Sequence, residues 1–295
     1  MADINSRKLP AGIQSFKTIR EEGYVYVDKS DIVWYLANCG KLFNYLSRPR
    51  RFGKSILVDT LQMYFEGRKE LFEGLKIMQL EKEWKQYPVI RLDLSRGGAN
   101  AETLRSYLDL RFKEYEKKYA ITLPSTAHLA DRFDAIITTA YKQTGLKVAI
   151  LIDEYDVPIQ QGHMNDYYDK ITLFMRNLFS KGLKDNKHLS FGFLTGILRV
   201  AKESIFSGLN NLTINSVLDN KYSSYFGFTS EEIKKMTKYY GVEDKYDEIC
   251  EWYDGYRFGK TEIFNPWSVI NYFNNECEPR AFWQSTGSND IIGEI

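Results

Sequence analysis

The apolar run Leu42-Phe43-Asn44-Tyr45-Leu46 ends at Arg48-Pro49-Arg50-Arg51-Phe52-Gly53-Lys54-Ser55, and a helical pattern through Ile56, Leu57, Leu61 and Phe65 follows at once. A strand, a tight loop closing on Gly-Lys-Ser and a helix, in that order, make a cradle for phosphate groups. The loop turns backbone N–H groups inward, Lys54 reaches the β- and γ-phosphates, Ser55 ligates Mg²⁺, and the helix N-terminus adds partial positive charge. The expected cradle is Arg48, Pro49, Arg50, Arg51, Phe52, Gly53, Lys54, Ser55 and Ile56, with ATP the expected ligand.

This loop departs from the usual G-x-x-x-x-G-K-[ST] pattern, because Arg48 stands where the leading glycine belongs. Pro49 also lacks an N–H, so the loop is one backbone donor short. Arg48, Arg50 and Arg51 can replace it with charge-assisted contacts to phosphate, or two of the three can simply face water. A second match, Gly259-Lys260-Thr261, serves as a control. Glu251-Trp252-Tyr253-Asp254-Gly255-Tyr256 before it is not a buried strand, and Pro266 cuts off a following helix, so it is expected to be a turn.

A second signature lies downstream. Lys147-Val148-Ala149-Ile150-Leu151-Ile152-Asp153-Glu154 reads as a parallel strand buried on both faces and ending in two carboxylates, a Walker B pattern. Asp153 is the expected Mg²⁺ partner and Glu154 the group that polarises the attacking water. Two more strands, Tyr87–Leu94 and Leu189–Gly196, complete a sheet. Ligands of open α/β sheets lie at the carboxyl ends of the strands, which draws Asp93 and Thr195 toward the same crevice. Thr195 is the expected sensor of the γ-phosphate or attacking water, and Arg199 the cis stabiliser of transition-state charge; a helix cap and a surface group are their structural alternatives.

With 295 residues and a net charge of +1, the chain can build one large α/β domain and a smaller helical one, and it offers no broad nucleic-acid footprint. No stretch has the length of a membrane span, and the first residues lack the form of a signal peptide, which together suggest the cytoplasm. Cys39, Cys250 and Cys277, and likewise His128, His163 and His188, are too scattered for a disulfide frame or a zinc site.

Ahead of the loop, Tyr24 and Tyr26 are aromatic platforms for an adenine, while a strand-to-helix entry capped by Asp28 or Ser30 explains the same segment without a ligand. Ala101–Lys118, His128–Lys142 and Ile171–Phe179 read as crossover helices of a doubly wound, mostly parallel P-loop sheet. Asn210–Asn215 reads as turn-rich. Helices through Lys234–Tyr240, Tyr246–Tyr253 and Pro266–Phe273 then suggest a lid. The expected division is an ATPase core with an N-terminal arm over 1–207 and a helical lid over 208–295.

Leu9–Phe16, Tyr26–Ser30, Ser47–Ser55, Leu151–Asp156, Trp252–Tyr256 and Asn265–Ser268 together resemble the AAA-ATPase-like proteins of mainly anaerobic bacteria. In that family the arginine-rich loop is habitual, which accounts for the missing glycine. The resemblance implies ATP binding and hydrolysis, and a C-terminal restriction-nuclease-like module for which the chain, ending at Ile295, leaves no room. Three functions remain open at this stage: a Mg²⁺-dependent ATPase that energises or gates a partner module or protein, with oligomers possible; a nucleotide-held switch with negligible turnover; and a phosphotransferase.

Overall fold

The computed structural model describes residues 8–97, 100–124, 126–197 and 212–285. In chain order the elements are α1 (Phe16–Glu21), α2 (Asp31–Ala37), β1 (Phe43–Ser47), α3 (Lys54–Phe65), α4 (Ile77–Leu80), β2 (Val89–Asp93), α5 (Ala101–Lys118), α6 (Leu129–Thr144), β3 (Val148–Asp153), α7 (Val157–Met164), α8 (Tyr168–Leu183), β4 (Leu189–Gly196), β5 (Leu212–Asn215), α9 (Ser230–Tyr240), α10 (Tyr246–Tyr253), β6 (Tyr256–Phe258), β7 (Thr261–Ile263) and α11 (Pro266–Asn274). They fall into two compact units that interleave along the chain. One takes Ser30–Ser47 and Leu57–Asn215, the other the described parts of Met1–Lys29, Arg48–Ile56 and Ser216–Ile295.

The first unit is built on a five-stranded sheet of order β2-β3-β4-β1-β5 in which every pairing is parallel. Buried on both faces, such strands need continuous apolar sequence, and all six residues of β3 are buried. Register aligns Asp93 with Asp153, Ile152 with Leu194, and Leu46 with Thr195, so the carboxyl ends of four strands share one edge. Helices α5, α6 and α8 cover the sheet. Asn100 and Thr103 form a capping box that starts α5, and Gly145, with φ of 69°, ends α6 in the left-handed conformation that glycine adopts without strain. Phe112 of α5 stacks on Phe133 of α6 at 5.4 Å, both fully buried.

The strand β5 corrects the sequence reading of Asn210–Asn215 as turn-rich: Leu212–Asn215 pairs in parallel with β1, while residues 210 and 211 lie outside the described part. The strand is only four residues long and mostly half-buried at the sheet's edge, so its apolar content is too low to announce it. Its existence comes from pairing, not from local propensity. Ser30 likewise departs from the expected cap. It stands at the N-cap position of α2 without bonding that helix through its side chain, and its hydroxyl accepts the Ile77 N–H at the start of α4, 3.1 Å away.

In the second unit a small core of Phe228, Ile233, Met236, Ile249, Tyr253, Phe264, Val269 and Tyr272 joins α9, α10 and α11. Thr229 and Glu232 form a capping box on α9, and Asn265 caps α11 ahead of Pro266. Lys29 knits the N-terminal segment into this unit by donating to the carbonyls of Ser224 (2.6 Å) and Gly227 (2.7 Å) and pairing with Glu232 at 2.9 Å. Among the described residues no helix is long and apolar enough to cross a membrane.

Gly182 sets the spacing of α6 and α8, because a Cβ there would lie 2.3 Å from Cδ1 of the buried Phe133. Alanine gains about 1 kcal/mol in helix propensity, but overpacking a ring already stacked on Phe112 costs about 1–3 kcal/mol. Gly182→Ala is therefore expected to lower stability by up to about 2 kcal/mol, read as a lower urea midpoint at unchanged slope. A raised midpoint would show that Phe133 can move aside.

Candidate functional site

The candidate residues fall into two groups, one in each unit. The loop Arg48–Ile56 leaves the carboxyl end of β1 in the chain and is held by contacts within its own unit. Arg48 is fully buried, with its guanidinium 4.7 Å from the Phe226 ring centre and 5.2 Å from that of Phe258. Burial pulls its pKa down to about 10, against the opposing influence of Asp219. Phe52, 1% exposed, packs on Tyr256 at 4.8 Å and Phe258 at 5.0 Å. Pro49 is half-buried, Arg50 and Arg51 are exposed, and Arg51 lies 4.3 Å over the Trp267 ring.

Gly53, with φ of 82°, turns the chain into α3, whose first residue is Lys54. The Lys54 ammonium folds back onto the loop, donating to the carbonyls of Arg48 and Pro49 at 3.1 Å each. A phosphate entering the loop would take over an ammonium already held at its rim. Ser55 and Ile56 are half-buried in the first turn of the helix.

The second Gly-Lys-Thr is a turn, as its flanks suggest. Gly259-Lys260 joins β6 to β7 in an antiparallel hairpin. Its polar groups are already engaged: the Gly259 N–H donates to the Val217 carbonyl (2.8 Å), the Lys260 N–H to Asn220 Oδ1 (3.0 Å), and Thr261 Oγ1 bonds Ser223 Oγ (2.8 Å). Amides used in this way have nothing left to offer a phosphate.

In the sheet unit, the Thr195 hydroxyl donates to the buried Asp153 carboxylate and accepts the Glu154 N–H at 3.1 Å. Glu154 adopts φ of 51°, a left-handed conformation uncommon for a residue with a Cβ and sustained only where neighbours impose it. The Thr195 carbonyl accepts the next amide, Tyr155 N–H, at 3.0 Å, so one residue of β4 fixes three consecutive positions of the acidic turn.

Asp156 extends this construction, a feature the sequence reading passed over. Fully buried, it accepts the Ile197 N–H and Gln160 Nε2–H at 2.8 Å each. Gly196 is small because a Cβ there would meet Asp156 Oδ1 at 2.7 Å and Tyr155 Cε1 at 2.8 Å. Burial, followed by the charge of Asp156, pushes the Tyr45 hydroxyl up to about 12. Asp93, the register partner of Asp153, is engaged by its own turn, accepting from Ser95 N–H, Ser95 Oγ–H and Arg96 Nε–H. Arg199 lies outside the described residues.

The sequence reading also missed the aromatic residues that grip the loop: Phe226, Tyr256, Phe258 and, in the role of ring beneath Arg51, Trp267. The available signal was the density of aromatics around a second Arg-Phe-Gly-Lys.

The chemistry on offer is an ammonium at the loop, in one unit, and two adjacent carboxylates at the acidic turn, in the other. Among the described residues no three His, Cys, Asp or Glu side chains gather as a metal cluster. A family model described as "Predicted AAA-ATPase" matches residues 10–206. Among curated proteins the chain is similar to the "Uncharacterized protein in vnfD 5'region" of Azotobacter chroococcum mcd 1, at 34% identity over 297 residues. That match covers 99% of this chain and 56% of the relative, so the chain spans about half the length of the curated relative it matches.

Thr195→Val keeps the shape of the side chain but strips a partner from both the Asp153 carboxylate and the Glu154 N–H. Such orphaned groups cost about 1–3 kcal/mol in total stability, and Thr195→Ser should recover most of it. Chemical denaturation of the two variants is the check; equal stability of Val and wild type would mean that water replaces the hydroxyl at no cost.

Proposed function

Because the chain belongs to the predicted AAA-ATPase family, we propose that it binds ATP with Mg²⁺ and hydrolyses it, with Lys54 and the loop amides on the phosphates and Glu154 on the attacking water. The observation that carries this reading is the form of the loop. A buried parallel strand leads into a positive-φ Gly53 and a helix opening on Lys54, whose ammonium donates to the carbonyls of Arg48 and Pro49 in its own loop. The family match supports an ATPase; Mg²⁺ dependence and the roles of single residues are our proposal.

In this mechanism Lys54 shifts from the carbonyls of Arg48 and Pro49 to the β- and γ-phosphate oxygens. Ser55 and Asp153 would hold Mg²⁺, which when bound neutralises charge on the phosphates. The donor set fits: Mg²⁺ prefers oxygen, keeps several waters and commonly takes one or two carboxylates plus phosphate oxygens, so no larger cluster is required. Glu154 accepts the proton of the attacking water, and Thr195 keeps both acidic residues in register by holding the Glu154 amide and the Asp153 carboxylate. We assign Arg199 the stabilisation of transition-state charge in cis. We further propose that turnover energises or gates a partner module or protein in the cytoplasm; the greater length of the Azotobacter relative supports additional parts in such proteins.

Lys54→Ala is expected to reduce ATP affinity by a hundredfold or more, about 3 kcal/mol for losing a cation bonded to phosphate, while Lys260→Ala leaves it unchanged. Isothermal titration with ATP and Mg²⁺ distinguishes the two loops, and undiminished binding by folded Lys54→Ala would overturn the assignment.

Glu154→Gln should retain ATP affinity and lose roughly a hundredfold in turnover, whereas Asp153→Asn should also raise the Mg²⁺ concentration needed. Phosphate release over a Mg²⁺ series reads both. Wild-type protein that binds ATP but never releases phosphate, even at high protein concentration, would replace hydrolysis with a nucleotide-held switch.

A further inference from the structure

The loop Arg48–Ile56 forms one compact unit with the segment after Ser216, and aromatic side chains of that segment meet it at three points. Arg48 lies against Phe226 and Phe258, Phe52 against Tyr256 and Phe258, and Arg51 over Trp267. The first two are buried anchors. The third is different, since Arg51 is exposed and its backbone φ of 69° is left-handed without being glycine. A conformation of that kind persists where the surroundings impose it.

Trp267 stands on a firm support. It is the second residue of α11, whose N-cap Asn265 accepts the Ser268 N–H at 3.2 Å and whose Val269 and Tyr272 are fully buried in the small core. A guanidinium drawn to a ring through its face keeps its N–H donors in its own plane, free to bond a second group. Ring contact and phosphate contact are therefore compatible. The ring also removes much of the side-chain freedom that an exposed arginine would otherwise lose on meeting a ligand.

We infer that Trp267 is a positioning residue of the phosphate loop, holding Arg51 at the rim where its edge donors bond phosphate oxygens. This inference rests on the reading that ATP phosphates occupy the loop. Trp267 itself touches no phosphate; it acts through Arg51. Of the three arginines, Arg51 then serves the ligand and Arg48 serves the packing of the loop.

Titration of the whole chain with ATP·Mg²⁺ and with adenosine tests this. W267A is expected to weaken ATP binding by about tenfold, to leave adenosine binding unchanged, and to flatten the salt dependence of ATP affinity. W267F, which keeps a ring, should restore affinity to within about threefold. R51A should match the loss in W267A, and the double variant should lose nothing further, because both remove one interaction. Wild-type affinity in W267A, or losses that multiply in the double variant, would overturn the inference while K54A still loses a hundredfold or more in affinity. Undiminished binding in K54A would instead overturn the reading beneath it. If W267A does not fold, R51A and W267F decide: tight binding by W267F with a tenfold loss in R51A supports the role, and an R51A that binds as wild type ends it.

Discussion

Parallel pairing of β3 with β4 and of β4 with β1 is the constraint from which the acidic turn follows. In a parallel sheet all carboxyl ends lie on one edge, and the register that sets Ile152 beside Leu194 brings the Thr195 hydroxyl to Asp153 and Glu154. A slip of one residue would turn every side chain of a strand to the other face and remove the hydroxyl from the carboxylates. Continuous burial makes that slip expensive, since both faces of β3 are packed. The apolar interior of the strand thus fixes the geometry of its polar tip.

The loop depends on a different kind of constraint. Its backbone contains two positive-φ positions, Arg51 and Gly53, and only the second is a glycine. Phe258 is shared by two anchors, meeting Arg48 and Phe52. Burying the Arg48 charge is unfavourable in itself, as its lowered pKa states, and the aromatic faces and Asp219 offset that cost. A glycine at position 48 would carry no such cost, but it would also provide no side chain to fasten the loop to Phe226. The arginine-rich sequence is consistent with a loop held from its flank by side chains.

Residues that act through local sequence were legible. β1, the Gly-Lys-Ser loop and α3 follow from a contiguous run, as do β3 with its two acids and β4 over Leu189–Gly196. Gly259-Lys260-Thr261 was readable as a turn because Pro266 and the preceding polar run forbid the other elements. What stayed hidden depends on contacts between distant segments. Leu212–Asn215 becomes a strand only beside β1. Ser30 looks like a cap for its own helix, yet its hydroxyl serves Ile77, forty-seven residues away. Thr195 could be read as a sensor or a cap, and the bridge it makes to both Asp153 and Glu154 was in neither reading. The interleaving of Arg48–Ile56 with the segment after Ser216 is equally invisible along a linear chain.

That interleaving bears on how the candidate residues are held. Lys54 and Ser55 belong to one compact unit, and Asp153, Glu154 and Thr195 to the other. Each set is built by bonds of its own unit: the carbonyls of Arg48 and Pro49 hold the Lys54 ammonium, and Thr195 holds the two acids. Removing the Thr195 hydroxyl would disturb Asp153 and Glu154 through bonds of the sheet unit, whereas removing the Phe258 ring would disturb Arg48 and Phe52 through contacts of the loop unit. The acidic turn is thus a product of strand register and the loop a product of aromatic anchoring, so the two sets of candidate residues answer to different kinds of substitution.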